Sequence, residues 1–212
     1  MDSERAVWQL KEIKKLVAGS GESPRLAAEG WDTGWKTLIA IILSAQTRDS
    51  KTVAVCKKLF EKYLKVEDLA MANLSEIEKD IGSINFYRTK ARNIREVARL
   101  ISENGIGDSV EDLIKLPGVG RKTANVYLVA VKGAAVIGVD THVGRISRKL
   151  GWTENTEPYK VEKDLENLFP GEYWNSINWI LVSFGQTIGR SRKKEDEVLR
   201  KIKLLATDKH GI

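Results

Sequence analysis

The chain is short of residues that make cross-links. Its 212 residues include one cysteine, Cys56, which excludes an internal disulfide and any metal site built from several thiolates. Only four prolines are present, and 42% of the residues are hydrophobic, so a collagenous, mucin-like or wholly disordered chain is excluded. The longest uninterrupted apolar stretch near the middle, Leu38 to Leu43, is far too short to cross a bilayer. The opening Met1-Asp2-Ser3-Glu4-Arg5 is polar and has no signal-peptide core. The expectation is an intracellular protein with no membrane partner, in cytoplasm or nucleoid, or in the nucleus if the source is eukaryotic.

What is present is charge of both signs. Lys plus Arg number 35 against 29 Asp plus Glu, a formal net charge of +6 and a pI near 9.3. Such a balance favours a polyanionic partner. The length suits one larger domain or two small lobes. Apolar residues recur at helical spacing along most of the chain. Helices are expected at 4–18, 35–44, 49–64, 74–81, 88–104, 109–115, 121–132, 141–150, 157–168, 173–186 and 195–206. Asn73 and Asp108 each stand three positions before a glutamate, as in a capped helix start. The one strand candidate, Ala134–Val139, has nothing to pair with, so an all-α fold is the simpler reading. The Gly19–Pro24 break and the Gly133 region divide the chain. A central lobe of 28–134 is expected beside a second lobe built from 1–27 and 135–212.

Four segments carry chemistry. In the first, an apolar helix runs to Leu116, Pro117 and Gly118 stop it, Gly120 gives a second flexible point, and a new helix opens at Arg121. Two helices joined by a Gly-x-Gly turn (about 111–127) direct backbone N–H groups outward at a helix N-terminus, where they suit a phosphate oxygen. Nothing there reads a base edge, so the contact is independent of sequence. The plain alternative is a tight connection between two core helices. Lys122 lies in the first turn of the second helix. The helix end, Arg121 and partial burial would all disfavour its ammonium form and make it an amine nucleophile. Its plain role is to pair with a phosphate.

In the second, an apolar run delivers Asp140 to a helix start. It caps the helix, or serves as a carboxylate that stabilises a developing cation, or both. His142 lacks a second His or Cys nearby and reads as structural. In the third, LSAQTRD at 43–49, Gln46 has both a donor and an acceptor with which to fill the place of a displaced base, or is only a helix-end residue. In the fourth, Phe86 and Tyr87 precede a helix with four cations in its first eight residues. They suit a wedge with a phosphate clamp, or a solvated basic face over a core pair.

Together, LSAQTRD at 43–49, FYRTKARNI at 86–94, LPGVGRKTAN at 116–125 and VDTHVGR at 139–145 resemble the helix–hairpin–helix DNA glycosylase superfamily, endonuclease III branch. The likeness runs from about residue 25 to 190, through Trp179–Gln186. It implies a two-lobed all-α fold, with a central six-helix lobe and DNA in the cleft between the lobes. It further implies Lys122 as the nucleophile, Asp140 as the catalytic carboxylate, Gln46 as the residue entering the gap, Phe86 near the wedge, and Gly118 and Gly120 in the backbone-gripping hairpin. Asp49, Arg88, Leu116, Val119, Arg121 and Thr123 complete the expected DNA contacts.

The implied activity is a bifunctional glycosylase and abasic-site lyase of base excision repair, acting as a monomer on duplex DNA with a damaged, mispaired or abasic nucleotide. Oxidised pyrimidines are the first substrate expectation. The alternatives are a monofunctional glycosylase for uracil or thymine opposite guanine, and a non-catalytic DNA-binding module. The sequence departs from the branch in two places. The four cysteines of an iron–sulfur cluster would begin near Gly189, and none is there, so no cofactor and no metal are expected. Asn85 stands where the family often has glycine before the aromatic, which bears on the wedge and on lesion preference.

Overall fold

Helices dominate because the apolar residues recur every three to four positions and their ends carry capping chemistry. A computed structural model describes residues 1–21 and 25–210; Glu22, Ser23 and Pro24 of the expected Gly19–Pro24 break lie outside the described residues. The elements are α1 (Ser3–Gly19), α2 (Gly34–Ser44), α3 (Asp49–Lys62), α4 (Val66–Met71), α5 (Leu74–Asp80), α6 (Tyr87–Asn104), α7 (Val110–Leu113), α8 (Arg121–Lys132), α9 (Thr141–Leu150), α10 (Pro158–Leu168), α11 (Gly171–Gln186) and α12 (Arg192–His210). No strand occurs among the described residues. The chain folds as two units, one from Arg25–Gly133 and one from Met1–Pro24 with Ala134–Ile212.

The unit from Arg25 to Gly133 is organised on α2. Every residue of α2 from Leu38 to Leu43 is buried, as its unbroken apolar run requires, and α3, α6 and α8 pack around it. Trp31 and Trp35 both meet the Phe60 ring edge to face, at 5.0 and 5.3 Å between centroids. The short α4, absent from the sequence expectation, packs on α6 through the buried Leu69. Asn73 caps α5 by accepting from the Ser75 N–H at 3.0 Å. The start of α7 is capped by Ser109, not Asp108; its hydroxyl accepts from Asp112 N–H at 3.0 Å. Asp112 is also the acid three positions on, one residue later than the sequence suggested.

The second unit packs α1 against α11 and α12, and α9 against the same two helices. Its core includes Leu10, Ile13, Val143, Ile146, Leu165, Ile177, Leu181 and Phe184. The former strand candidate is an irregular connector, in which the Val136 N–H donates to the Ala134 carbonyl at 3.0 Å. Ile137 and Val139 are buried in this core, and Asn178 Nδ2 donates to the Gly138 carbonyl at 2.6 Å, which satisfies backbone without a second strand.

Candidate functional site

The turn between α7 and α8 is fixed by its backbone. Val119 N–H donates to the Leu116 carbonyl at 3.1 Å, and Ala124 N–H to that of Gly120 at 3.0 Å. Gly118 has φ +80°, and a Cβ there would sit 2.6 Å from Asn93 Nδ2, so both the left-handed backbone and the space demand glycine. A Cβ on Gly120 would meet nothing within 4 Å. Gly120 is the N-cap of α8, and no side chain caps that helix. Val119 is buried and anchors the turn, Leu116 and Thr123 are half-buried, and Gly118, Gly120 and Arg121 are exposed. Lys122 is also exposed, not partly buried as its expected chemistry supposed; it stands as the second residue of α8 with its chain free of core packing.

The SAQ and FYR segments meet. Gln46 and Phe86 are the two non-glycine residues with positive φ among the described residues, at +55° and +58°. Such backbone costs about 1–3 kcal/mol and persists where surrounding structure enforces it. Both side chains are exposed, Phe86 to 65%, so of the two readings of this segment the one that puts Phe86 in the core falls. Tyr87 is half-buried, with the exposed Arg88 guanidinium 5.5 Å from its ring centroid. Asp49 opens α3 and accepts from Ala27 N–H at 3.3 Å, which ties down the chain before α2. A pocket lined by Trp31, Asp32, Thr33, Gly34 and Val131 lies elsewhere in this unit and includes none of these residues.

Asp140 belongs to the other unit. It is the N-cap of α9, and its Oδ1 accepts from Val143 N–H at 2.9 Å. The plain reading of this aspartate is therefore correct, and one carboxylate oxygen is committed to it. His142 is half-buried: a Cβ on Gly185 would fall 2.0 Å from its Nδ1, so the glycine of α11 makes room for the ring. Arg145 Nη2 lies 3.1 Å from His142 Nδ1. Burial lowers the pKa of this imidazole below its ordinary value, against the raising effect of Asp140.

Two charged residues of structural weight were missed by sequence reasoning. In the sequence Lys90 is one of four cations at a helix start, and Glu195 lies in the charged run from Arg192 to Glu197. Each is fully or nearly shut off from solvent. The signal was available: Lys90, Ile94, Val97 and Ile101 share a stripe, and Glu195, Leu199, Ile202 and Ala206 share one with the same spacing.

The site residues thus comprise a helix start that no side chain caps, behind a Pro-Gly-x-Gly turn, a lysine in the first turn of that helix, and an aspartate that caps α9. Residues 39–171 match the model of the HhH-GPD superfamily base excision DNA repair proteins, and the chain belongs to that family. It is similar to endonuclease III of Synechocystis sp., 38% identical over 194 residues, which cover 90% of this chain and 86% of that protein. It is 42% identical to endonuclease III of Thermotoga maritima over 157 residues, 73% of this chain and 74% of the other. A solved structure of a trapped endonuclease III–DNA covalent intermediate superposes with a TM-score of 0.79 at 35% identity, covering 88% of this chain and 87% of that one.

Proposed function

We propose that this chain removes a damaged base from duplex DNA and then nicks the strand at the same nucleotide, with Lys122 as nucleophile and Asp140 as catalytic carboxylate. The observation that carries the residue assignment is Lys122, exposed in the first turn of α8 directly behind the Gly118 turn. Similarity to endonuclease III over most of both chains supports the paired activities.

The helix N-terminus after Gly120 holds a backbone phosphate through N–H groups and the positive end of the helix dipole. The damaged nucleotide leaves the stack, at a cost of a few kcal/mol, because C1′ is shielded inside a duplex. As the C1′–N bond breaks, its electron pair departs with the base and positive charge grows on the sugar, which the Asp140 carboxylate stabilises. The lone pair of Lys122 Nζ bonds to C1′ and the nitrogen loses a proton; the pair then left on nitrogen forms the C=N bond as C1′–O4′ breaks, O4′ keeping that bond's electrons and taking a proton, so that the opened sugar is a protonated imine. The imine accepts electrons when a C2′ proton is removed, and the 3′ phosphate leaves by β-elimination. Hydrolysis returns the lysine.

Borohydride should trap an enzyme–DNA adduct with wild-type protein and none with Lys122→Gln; an adduct that survives that substitution overturns the assignment. Asp140→Asn keeps an N-cap, so it should fold normally and lose base release. Equal cleavage of an abasic duplex by wild type and Lys122→Gln, or none by either, would favour a binding module.

Oxidised pyrimidines are the proposed substrates, and a panel of single-lesion duplexes scored separately for base release and nicking decides among them. Monomeric action inside the cell is part of the same proposal. Among the described residues no helix is long and apolar enough to cross a membrane.

We further propose that the protein works without an iron–sulfur cluster. Such a cluster needs four thiolates, and the residues that follow α11 do not fit one. A Cβ on Gly189 would press on the Phe184 carbonyl at 3.1 Å and on Glu195 Oε2 at 3.3 Å, and the tail has no cysteine. Cys56 is buried in α3, and burial pushes its thiol up to about 12. Visible charge-transfer absorbance in purified protein would contradict this.

A further inference from the structure

The end of α2 is an unfinished helix. Its last carbonyls have no helical N–H four residues on, because the chain leaves the helix at Ala45 (φ −54°, ψ 120°) and is left-handed at Gln46. The Ser44 carbonyl takes the Thr47 N–H at 2.9 Å and that of Ile41 takes the Ser44 hydroxyl at 2.8 Å, while the Leu43 and Ala45 carbonyls are served from the first turn of α6. Lys90 Nζ donates to the Leu43 carbonyl at 2.8 Å, to the Ala45 carbonyl at 2.6 Å and to Thr47 Oγ1 at 3.3 Å. The side chain is 6% exposed, and all three partners are uncharged. Burial brings its ammonium down to about 8. A buried cation without a carboxylate is tolerated here because it sits at the negative end of a helix, among oriented carbonyl dipoles. One residue before the α6 N-cap, Asn85 Nδ2 donates to the Gln46 carbonyl. Phe86, between these two donors in sequence, is the other left-handed residue.

One knot of bonds therefore carries both strained, exposed side chains. Three of its bonds come from Lys90 and one from Asn85, and they bridge segments roughly forty residues apart. Lys90 is buried, and the Asn85 amide is turned onto the Gln46 carbonyl. Their work is done on backbone carbonyls, where a substitution alters the shape of the turn and leaves the outward side chains unchanged.

We propose that Lys90 and Asn85 are positioning residues that fix the Gln46 turn and the Phe86 turn as one preformed element, so that both side chains enter the duplex together without reordering. This rests on the reading of Gln46 as gap filler and Phe86 as wedge. Fixing the two turns in the folded protein removes an ordering cost that would otherwise fall on the extrusion step. Base release needs extrusion of an intact nucleotide, whereas a ready-made abasic site lacks the base that must be unstacked. The effect of losing either donor is therefore larger on base release than on nicking of an abasic duplex.

The test uses full-length Lys90→Met, Asn85→Ala, Gln46→Ala and Phe86→Ala proteins and a lesion duplex with 2-aminopurine opposite the lesion. Lys90→Met and Asn85→Ala should lower single-turnover base release by roughly tenfold or more, reduce the 2-aminopurine fluorescence change on binding, and leave abasic-site nicking within a few-fold of wild type. Asn85 is exposed, so its variant tests the idea even if Lys90→Met fails to fold. Combining Asn85→Ala with Gln46→Ala should add little to either single loss, because a residue that acts through Gln46 has nothing left to position. Fully additive losses indicate a merely structural role and overturn the proposal. Unchanged base release in Asn85→Ala and a folded Lys90→Met, with Gln46→Ala and Phe86→Ala impaired, also overturns it. Unchanged behaviour of Gln46→Ala and Phe86→Ala overturns the reading beneath it.

Discussion

Lys90 and Glu195 each open a buried stripe of a long helix, one in each unit, and the protein satisfies them in opposite ways. Lys90 is held by two carbonyls and a hydroxyl. Glu195 is 0% exposed and is held by cations: Arg145 Nε and Nη2, each at 2.9 Å, and Lys149 Nζ at 2.7 Å, with Arg192 further out. The consequence appears in their proton affinities. Burial alone acts on Lys90 and lowers its ammonium to about 8. Burial would raise the Glu195 carboxyl, but bonds and fields from Arg145 and Lys149 overcome it and hold the group at about 2. A buried charge can thus be solvated by dipoles where a turn must be shaped, or neutralised by counter-charges where helices must be joined. The Glu195 knot joins α12 to α9, the helix capped by Asp140.

Removing Glu195 should have the largest effect on stability. Glu195→Gln leaves Arg145 and Lys149 partly buried beside a neutral amide, and loss of one partner from such a network costs about 3 kcal/mol. Urea unfolding monitored by tryptophan fluorescence should show that loss. A change within error would mean that the apolar stripe alone holds α12.

Gly118→Ala comes next, and it tests a turn that uses no charge. Its φ of +80° and the 2.6 Å approach to Asn93 should together cost about 2 kcal/mol. Adding Asn93→Ala should return the steric part and leave the backbone part. Full recovery would mean that the left-handed backbone carries no strain.

Much of this architecture is legible in the order of the amino acids alone. The buried α2 follows from an unbroken apolar run, and the Gly118 turn from its punctuation. Unit membership of Lys122 and Asp140 follows from the helix breaks. Three features are not legible, for physical reasons. The six-residue α4 has one buried anchor, Leu69, too little for a period to show. The Ala134–Val139 run is as apolar as a strand, but backbone pairing, which separates strand from connector, is not a property of one segment. The positive φ values of Gln46 and Phe86 occur where two segments about forty residues apart bond to each other, so no local pattern encodes them.

Lys90→Met gives a smaller stability change, because opposing terms meet. The carbonyls of Leu43 and Ala45 lose their donor, a cost of about 1–3 kcal/mol, while the charge no longer has to be buried. The pH dependence separates the two sites. The Lys90 pKa is lower folded than unfolded, so the unfolded chain binds more protons between pH 8 and 10.5, and wild type should gain stability over Lys90→Met as pH rises through that window. The Glu195 contribution is complete above about 4.5 and is lost as pH falls toward 2, so wild type and Glu195→Gln should converge in acid. Parallel curves in either window would break the contrast.

The smallest expected effect comes from an ion cluster with equally good distances and no burial. Arg99 meets Glu96 at 2.7 Å and Glu103 at 2.6 Å along the solvent face of α6, all three about half exposed. Water already solvates these groups in the unfolded chain, and holding three long side chains in one arrangement offsets most of their attraction. Arg99→Ala should therefore be indistinguishable from wild type in a denaturant titration at moderate salt, with any difference shrinking as salt is raised. If Arg99→Ala proved as damaging as Glu195→Gln, charge geometry would matter more than burial. The difference between the ion clusters of α6 and α12 would then have to rest on something other than exclusion of water.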